Sequence, residues 1–423
     1  MQKYKLGDIA TVEISGVDKK SKEGELSIKL CNFTDVYYNW AITSEMEINF
    51  MEATARPNEI ERFNLRRGQV ALTKDSETRY DIGIATYIAD NFDNVVLGYH
   101  NALVIPTPDK LSGKYLNALL HTDYARTYFS NNASGSGQRY ALSIDALNDF
   151  PVLLPTLEEQ ERIGTIFSSI DRKIALNRQI NDNLEAMAKQ LYDYWFVQFD
   201  FPDENGRPYK SSGGAMVWNE KLKREIPKGW GNCTLEYYLI IKNGRDHKHL
   251  GNGIYPVYGS GGEMRKVDSY LYWGESILMP RKGSLNNIMY VNDAFWSVDT
   301  MFYSEMKQSH CAKYVFYSIK DIDFTRWDSG TGVPSMTSST LYSISLIKPD
   351  VGILAKFDET ITPLFQMIKK NEMQIVELTK QRNELLPLLI NGQVSVNYHL
   401  ATLSWLSMIY LYREKMLERS VTL

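Results

Sequence analysis

Residues 134–155 read SGSGQRYALSIDALNDFPVLLP, and residues 329–349 read SGTGVPSMTSSTLYSISLIKP. Both run Ser-Gly-(Ser/Thr)-Gly, then hydroxyl-rich sequence, then alternating apolar residues, then Pro. From Leu147 onward a shift of 194 residues lays one copy on the other: Leu147 on Leu341, Pro155 on Pro349, Asn177 on Asn371. Upstream of a single-residue gap the shift is 195, Ser134 on Ser329. Earlier still, SGKYLNALL (112–120) echoes CAKYVFYSI (311–319), LRRGQVAL (65–72) echoes LYWGESIL (271–278), and SGVDKK (15–20) echoes NGRDHK (243–248). A duplication of this period makes each copy a structural unit, and two copies are too few for a solenoid. The chain therefore reads as two pseudo-symmetric modules.

Each copy opens with short β-branched and aromatic runs split by Gly, Asn, Asp and Pro, among them GQVALT, NVVLGYHNALVIP, ESILMP and IMYVND. These predict strands joined by tight turns. A short helix is expected near 114–128 in one copy and 312–319 in the other. After its Pro, each copy closes on a long helical segment. Ile163, Phe167, Ile170, Ile174, Asn177, Asn181, Leu184, Ala188, Leu191 and Trp195 alternate by 4 and 3, as do Phe357, Ile361, Leu364, Ile368, Asn371, Ile375, Leu378, Arg382, Leu385 and Leu389. That spacing is the seam of a coiled coil. Asn177 and Asn371 occupy equivalent seam positions, where a polar residue sets register. The competing reading is that each helix packs only on its own module. Antiparallel pairing of two helices of ~35 residues, each ~50 Å long, would make a spacer between two similar heads.

The fold class expected is α+β: two mainly-β modules separated by an antiparallel coiled coil of two long helices, in a pseudo-two-fold repeat. The bounds are 1–155 for the first module, 156–200 for the first helix, 201–230 for a linker, 231–349 for the second module, 350–391 for the second helix and 392–423 for a tail. The linker is rich in Gly, Pro, Ser and charge, but Tyr209, Met216 and Trp218 suggest that it lies against the fold. Pro363 should delay or kink the second helix and Pro387 end or kink it, leaving it effectively shorter than the first.

Length, 423 residues, fits two to three domains. Cys31, Cys233 and Cys311 are odd in number and scattered, which argues against a disulfide framework or zinc site and fits a reducing cytoplasm. No signal peptide is read at MQKYKLGDIA, and the apolar stretch 400–412 is too short to span a bilayer, so no membrane is expected. The formal net charge of −4 is weak evidence against nucleic-acid binding, since a basic patch can sit on one face of a mildly acidic protein.

Signatures of catalysis are missing: no Walker A loop, no GxGxxG after a strand, no HExxH, no GxSxG and no Asn-Pro-Pro-aromatic motif of an amino-methyltransferase. Asp171-Arg172-Lys173 resembles the end of a nuclease motif but falls on the seam helix, where a solvated face explains it. His247 and His249 read as surface residues of a turn rather than a metal pair. No catalytic residue, metal or cofactor is assigned to this chain.

What remains is recognition. Turns with exposed amides and hydroxyls bind phosphate oxygens, which singles out Ser134, Ser136, Ser329 and Thr331. In the first copy Gln138, Arg139 and Tyr140 follow at once, and Gln can pair with adenine and Arg with guanine. Lys74, Arg79 and Tyr80 in TKDSETRY, and Arg281, Lys282, Asn286 and Asn287 in PRKGSLNN, combine phosphate-type and base-reading side chains. A plain polar loop competes for each. Their recurrence at echoing places favours a DNA contact.

The pattern resembles the specificity (S) subunit of type I restriction-modification enzymes. The resemblance rests on LGDIA near the start, the double Ser-Gly-(Ser/Thr)-Gly, the P-x-L-x-E-Q-x-x-I run at 155–163, LYDYWFVQFDFPDENGRPYKSSGG (191–214), IPKGW (226–230) and LLPLLINGQV (385–394). It covers residues 1 to about 395. It implies two target-recognition domains, each reading half of a bipartite double-stranded DNA site, with the coiled coil as ruler. Half-sites on one face of the duplex recur every ~34 Å, within reach of such a spacer. It further implies two methyltransferase (M) subunits that carry S-adenosylmethionine and methylate adenine, and restriction motor-nuclease (R) subunits that use ATP and Mg. Residues 396–423 have no counterpart in the resemblance. Two other readings stay open: an enzyme fused to a recognition domain, and a coiled-coil adaptor whose β heads bind peptides or glycans.

Overall fold

A computed structural model describes residues 2–135, 139–327 and 334–390. The tail at 392–423 lies outside them. The chain forms two compact units, one made of the chain up to Arg178 and from Glu372 onward, the other of Gln179–Asn371. The division falls inside both long helices, because each unit buries one stretch of each.

In the first unit, alternating apolar residues build a five-stranded sheet. Its order is Ala10–Ile14, Asn101–Pro106, Val70–Thr73, Ala85–Ile88, Ala41–Ile42, antiparallel except for the last pair. Met51–Ala55, Leu26–Cys31 and Val95–Leu97 make a second sheet with its own core around Leu30, Phe63 and Leu97. In the second unit Leu239–Asn243, Met301–Met306, Tyr272–Pro280, Met289–Ser297, Asn252–Gly259 and Gly262–Val267 form one six-stranded sheet. The segment read as one helix near 114–128 is two, Gly113–Leu120 and Asp123–Asn132; its counterpart is Ala312–Lys320.

The duplication reaches single side chains. Gln2–Lys5 pairs with Pro151–Leu154 as Gly231–Thr234 pairs with Ser345–Lys348. Tyr115 donates its hydroxyl to the Leu153 carbonyl at 2.5 Å, and Tyr314 to Ile347 at 2.7 Å. Ser143 caps the helix Ile144–Asn148 and Thr337 caps Ser338–Tyr342. Part of the hydroxyl-rich echo is therefore helix capping, because a hydroxyl at the N-cap satisfies an otherwise orphan backbone N–H.

The long helices are Leu157–Tyr192, continued by a π turn at Asp193–Val197, and Val351–Ile390. Thr156 and Glu159 form a reciprocal cap at the first start (3.1 and 3.3 Å). In the first unit Ile163, Phe167, Ile170 and Ile174 share one core with Leu386, Leu389 and Ile390. In the second, Ala188 and Trp195 pack with Phe357 and Ile361. In both units the rising numbers of one helix meet the falling numbers of the other, so the helix pairs are antiparallel.

One expectation is corrected. Pro363 and Pro387 do not break the second helix, which runs on for 40 residues, against 36 of the first and the five of its π turn. The carbonyls they leave unpaired, of Glu359 and Asn383, belong to exposed residues and can bond water. The two seam asparagines each bond to a residue of the opposite helix. Asn371 donates to Asn181 Oδ1 at 2.8 Å, while Asn177 donates to Gln374 at 3.2 Å. Positions equivalent in a repeat meet in an antiparallel pair only at its centre of symmetry.

The stretch 201–230 is an ordered element. Phe201 stacks between Tyr209 and Trp230, and Met216–Asn219 pairs with Arg224–Pro227 as a hairpin. Tyr209 and Met216 pack as expected, but Trp218 is exposed and bonds Glu220.

Each sheet is anchored to its long helix differently. In the second unit the Lys313 ammonium is buried between Glu275 and Asp358, 2.8 Å from each, and His310 reaches Asp358 at 2.9 Å. Burial pushes the Asp358 carboxyl up, but hydrogen bonds and charge from Lys313 and His310 outweigh it, leaving its pKa below the ordinary range. The repeat equivalents in the first unit are Gln69, Lys114 and Gly164. A Cβ on Gly164 would sit 2.5 Å from Lys114 Cβ, so the first helix touches its neighbour's backbone where the second makes an ion network.

Candidate nucleic-acid interface

In the first unit the strand Val70–Thr73 leads into Asp75–Ser76, which joins Tyr140–Ala141 and Ser134–Gly135 in a small three-stranded sheet. This sheet gathers Lys74, Ser134, Arg139 and Tyr140 in one place. Arg79 lies over the Tyr140 ring, 5.2 Å from its centroid, and Tyr80 projects with 85% of its surface exposed. The Ser134 hydroxyl donates to the Ala141 carbonyl at 3.3 Å. Ser136 and Gln138 lie outside the described residues.

Under the patch sit two residues not singled out from sequence. Asp75 is buried; it accepts from Lys74 Nζ at 3.0 Å and meets His100 Nδ1 at 2.5 Å. Arg139 Nη2 lies 2.6 Å from His100 Nδ1, 3.0 Å from Nε2 and 3.6 Å from Asp75 Oδ2. Burial raises the Asp75 carboxyl, but bonds from His100 and Lys74 and their charges more than offset it, so it stays below the ordinary carboxylate range. Asp75, His100 and Arg139 are 25 and 39 residues apart, and no local pattern links them.

The second unit uses the same local construction. Ser76, four residues beyond Leu72, pairs with Tyr140, six beyond Ser134. Lys282, four beyond Leu278, pairs with Ser335, six beyond Ser329. Arg281 and Lys282 are exposed, both backbone N–H groups reaching the Thr300 carbonyl (2.8 and 3.1 Å). Ser329 and Thr331 lie outside the described residues. Asn286 and Asn287 are committed to the fold. Asn286 donates to Asp323 and accepts from the Phe324 N–H, while Asn287 donates to the Ser260 carbonyl. Asn286 thereby seats the turn Phe324–Trp327, which exposes Arg326 and Trp327. A cation beside an exposed ring suits nucleic acid, and a lone Arg-Trp pair is too weak a signal to find in sequence.

Asp171 is partly buried, not on the solvated face expected for it. Burial raises Asp171 to about 6, partly offset by Arg382 and Arg178. His249 packs edge-on against Trp296. Among the described residues no group of three His, Cys, Asp or Glu side chains is placed to hold a metal ion.

Residues 1–186 match a family model described as type I restriction modification DNA specificity domain. The type I restriction enzyme MjaIX specificity subunit of Methanocaldococcus jannaschii is 27% identical over 387 residues, 85% of this chain and 84% of that protein. The type I restriction enzyme HindI specificity subunit of Haemophilus influenzae is 32% identical over 396 residues, 75% of this chain and 85% of that protein. The crystal structure of the S subunit of a type I restriction-modification system from M. genitalium shares the fold, with a TM-score of 0.58 at 16% identity, over 92% of this chain and 95% of that one. With a relative this similar over most of both lengths, the chain belongs to the family of type I restriction enzyme specificity subunits.

Proposed function

We propose that this chain is the non-catalytic DNA-recognition subunit of a type I restriction-modification complex, each sheet-rich unit reading one half of a bipartite target. The observation that carries the reading is the matched pairing Ser76–Tyr140 and Lys282–Ser335, which has exposed cations beside it in each repeat, Arg79 and Arg139 in one and Arg281 and Lys282 in the other. The long helices set the spacer and dock two methyltransferase subunits, which bind S-adenosylmethionine and methylate adenine. Motor-nuclease subunits bring ATP and Mg. The complex works in the cytoplasm. Base discrimination falls to this chain, at about 1–3 kcal/mol for each good bidentate pair. The adaptor reading draws no support from the relatives.

The test is to map methylated adenines genome-wide in cells carrying this chain and its methyltransferase subunit, against cells in which the first module is swapped. A split motif, one half of which changes with the swap, is expected. A motif indifferent to the swap would put the reader elsewhere.

A further inference from the structure

Arg139 differs from the other cations of the patch in how it is held. Its side chain is 61% exposed, yet Nη2 is tied at its inner edge to His100 and Asp75. Asp75 is the fixed point: its carboxylate is 11% exposed, engaged by Lys74 on Oδ1 and by His100 on Oδ2. His100 reaches it from a left-handed backbone (φ 71°) that a non-glycine residue adopts uncommonly and that concentrates at binding sites. Arg79 has no such arrangement; it rests on a ring. Contact with phosphate needs a positive charge and tolerates a mobile one. Reading a base edge needs a planar fork at a set angle, and a guanidinium held at one edge offers its remaining N–H groups in that way to the O6 and N7 acceptors of guanine.

Resting on the reading that the first unit binds DNA, we infer that Arg139 reads a guanine in the first half-site and that Asp75, acting through His100, is the residue that positions it. The second unit lacks the device. In the repeat, Thr300 stands in the place of His100, each just ahead of the strand Asn101–Pro106 or Met301–Met306, and Pro334 stands in the place of Arg139. The inference concerns the first half-site alone.

The experiment uses the full chain with its methyltransferase subunits and duplexes bearing the mapped target. Each guanine of the first half-site is replaced in turn by 7-deazaguanine, which lacks the N7 acceptor. At one position the replacement should weaken binding by the native complex about tenfold, with no further effect on the Arg139→Gln complex. Asp75→Asn should reduce discrimination at that same position and no other. Should Asp75→Asn fail to fold, Arg139→Gln carries the test alone, since its side chain is exposed. The inference is overturned if Arg139→Gln weakens all duplexes equally and lowers the salt slope by about one, the mark of a phosphate contact. A native complex that does not separate the mapped target from a scrambled duplex would sink DNA reading itself, a different failure from the uniform loss.

Discussion

The His121 ring lies 4.1 Å from that of Trp40, whose indole also meets the Arg382 guanidinium at 5.1 Å. Burial pushes His121 down to about 4, against an ordinary 6.5. Above pH 6.5 the ring is neutral folded or unfolded. Between 6.5 and about 4 only the unfolded chain takes up the proton, so the first unit loses stability as pH falls across that window. Replacing His121 by Gln should abolish that loss. The stability advantage of the native protein over the variant should shrink by on the order of 2 kcal/mol from pH 7 to 4, measured by denaturant unfolding. Asp171 titrates in both proteins and cancels in the comparison. At this scale the sequence was readable where chemistry is local. Lys74, Arg79, Arg139 and Tyr140 were chosen for their type and do share a patch. Asn286 and Asn287 were chosen on the same ground and are consumed by the fold, because an amide that could read a base can equally bind a carbonyl. Asp75 and His100 were missed because their role exists only after three distant segments meet.

The two long helices were the most legible elements, since a sustained 4-3 spacing leaves few alternatives. Their partnering was less so: equivalence in the repeat names no partner for Asn371, and antiparallel packing delivers Asn181. Asn181 is buried and also donates to the Ile368 carbonyl at 3.5 Å. Changing either Asn181 or Asn371 alone to Leu strands the other amide and should lower unfolding stability by about 1–2 kcal/mol. Changing both should recover that loss, since two apolar residues then meet. The four unfolding curves check this, and additive losses would show that the pair does not interact. The prolines were misjudged for a physical reason: helix propensity counts the missing bond but not whether water can replace it. Strand positions were legible in GQVALT and ESILMP, whereas sheet order, with Ala41–Ile42 parallel to Ala85–Ile88 at an edge, joins segments no local pattern relates.

For the molecule as a whole, a net charge of −4 sets a limit on how it meets DNA. Counterion release rewards each neutralised phosphate, and a mildly acidic chain with small cationic patches neutralises few. The isolated chain should therefore bind random-sequence DNA weakly and with a shallow salt dependence, and adding the methyltransferase subunits should steepen it; titrations at 50 and 200 mM salt decide. Tight, steeply salt-dependent binding by the chain alone would refute this division of labour. The unlike anchors of the two repeats bear on inheritance. Any replacement of one sheet-rich module by another is constrained by a lock and key inside each half. A module carrying Lys313 needs a helix with Asp358, and one packed like Lys114–Tyr115 needs a helix with no side chain at Gly164. A crossover between module and helix would leave the buried Lys313 ammonium with Glu275 alone, stripped of its helix partner, or force a clash. Viable recombinants of this chain should trade each sheet together with the first turns of the helix that follows it.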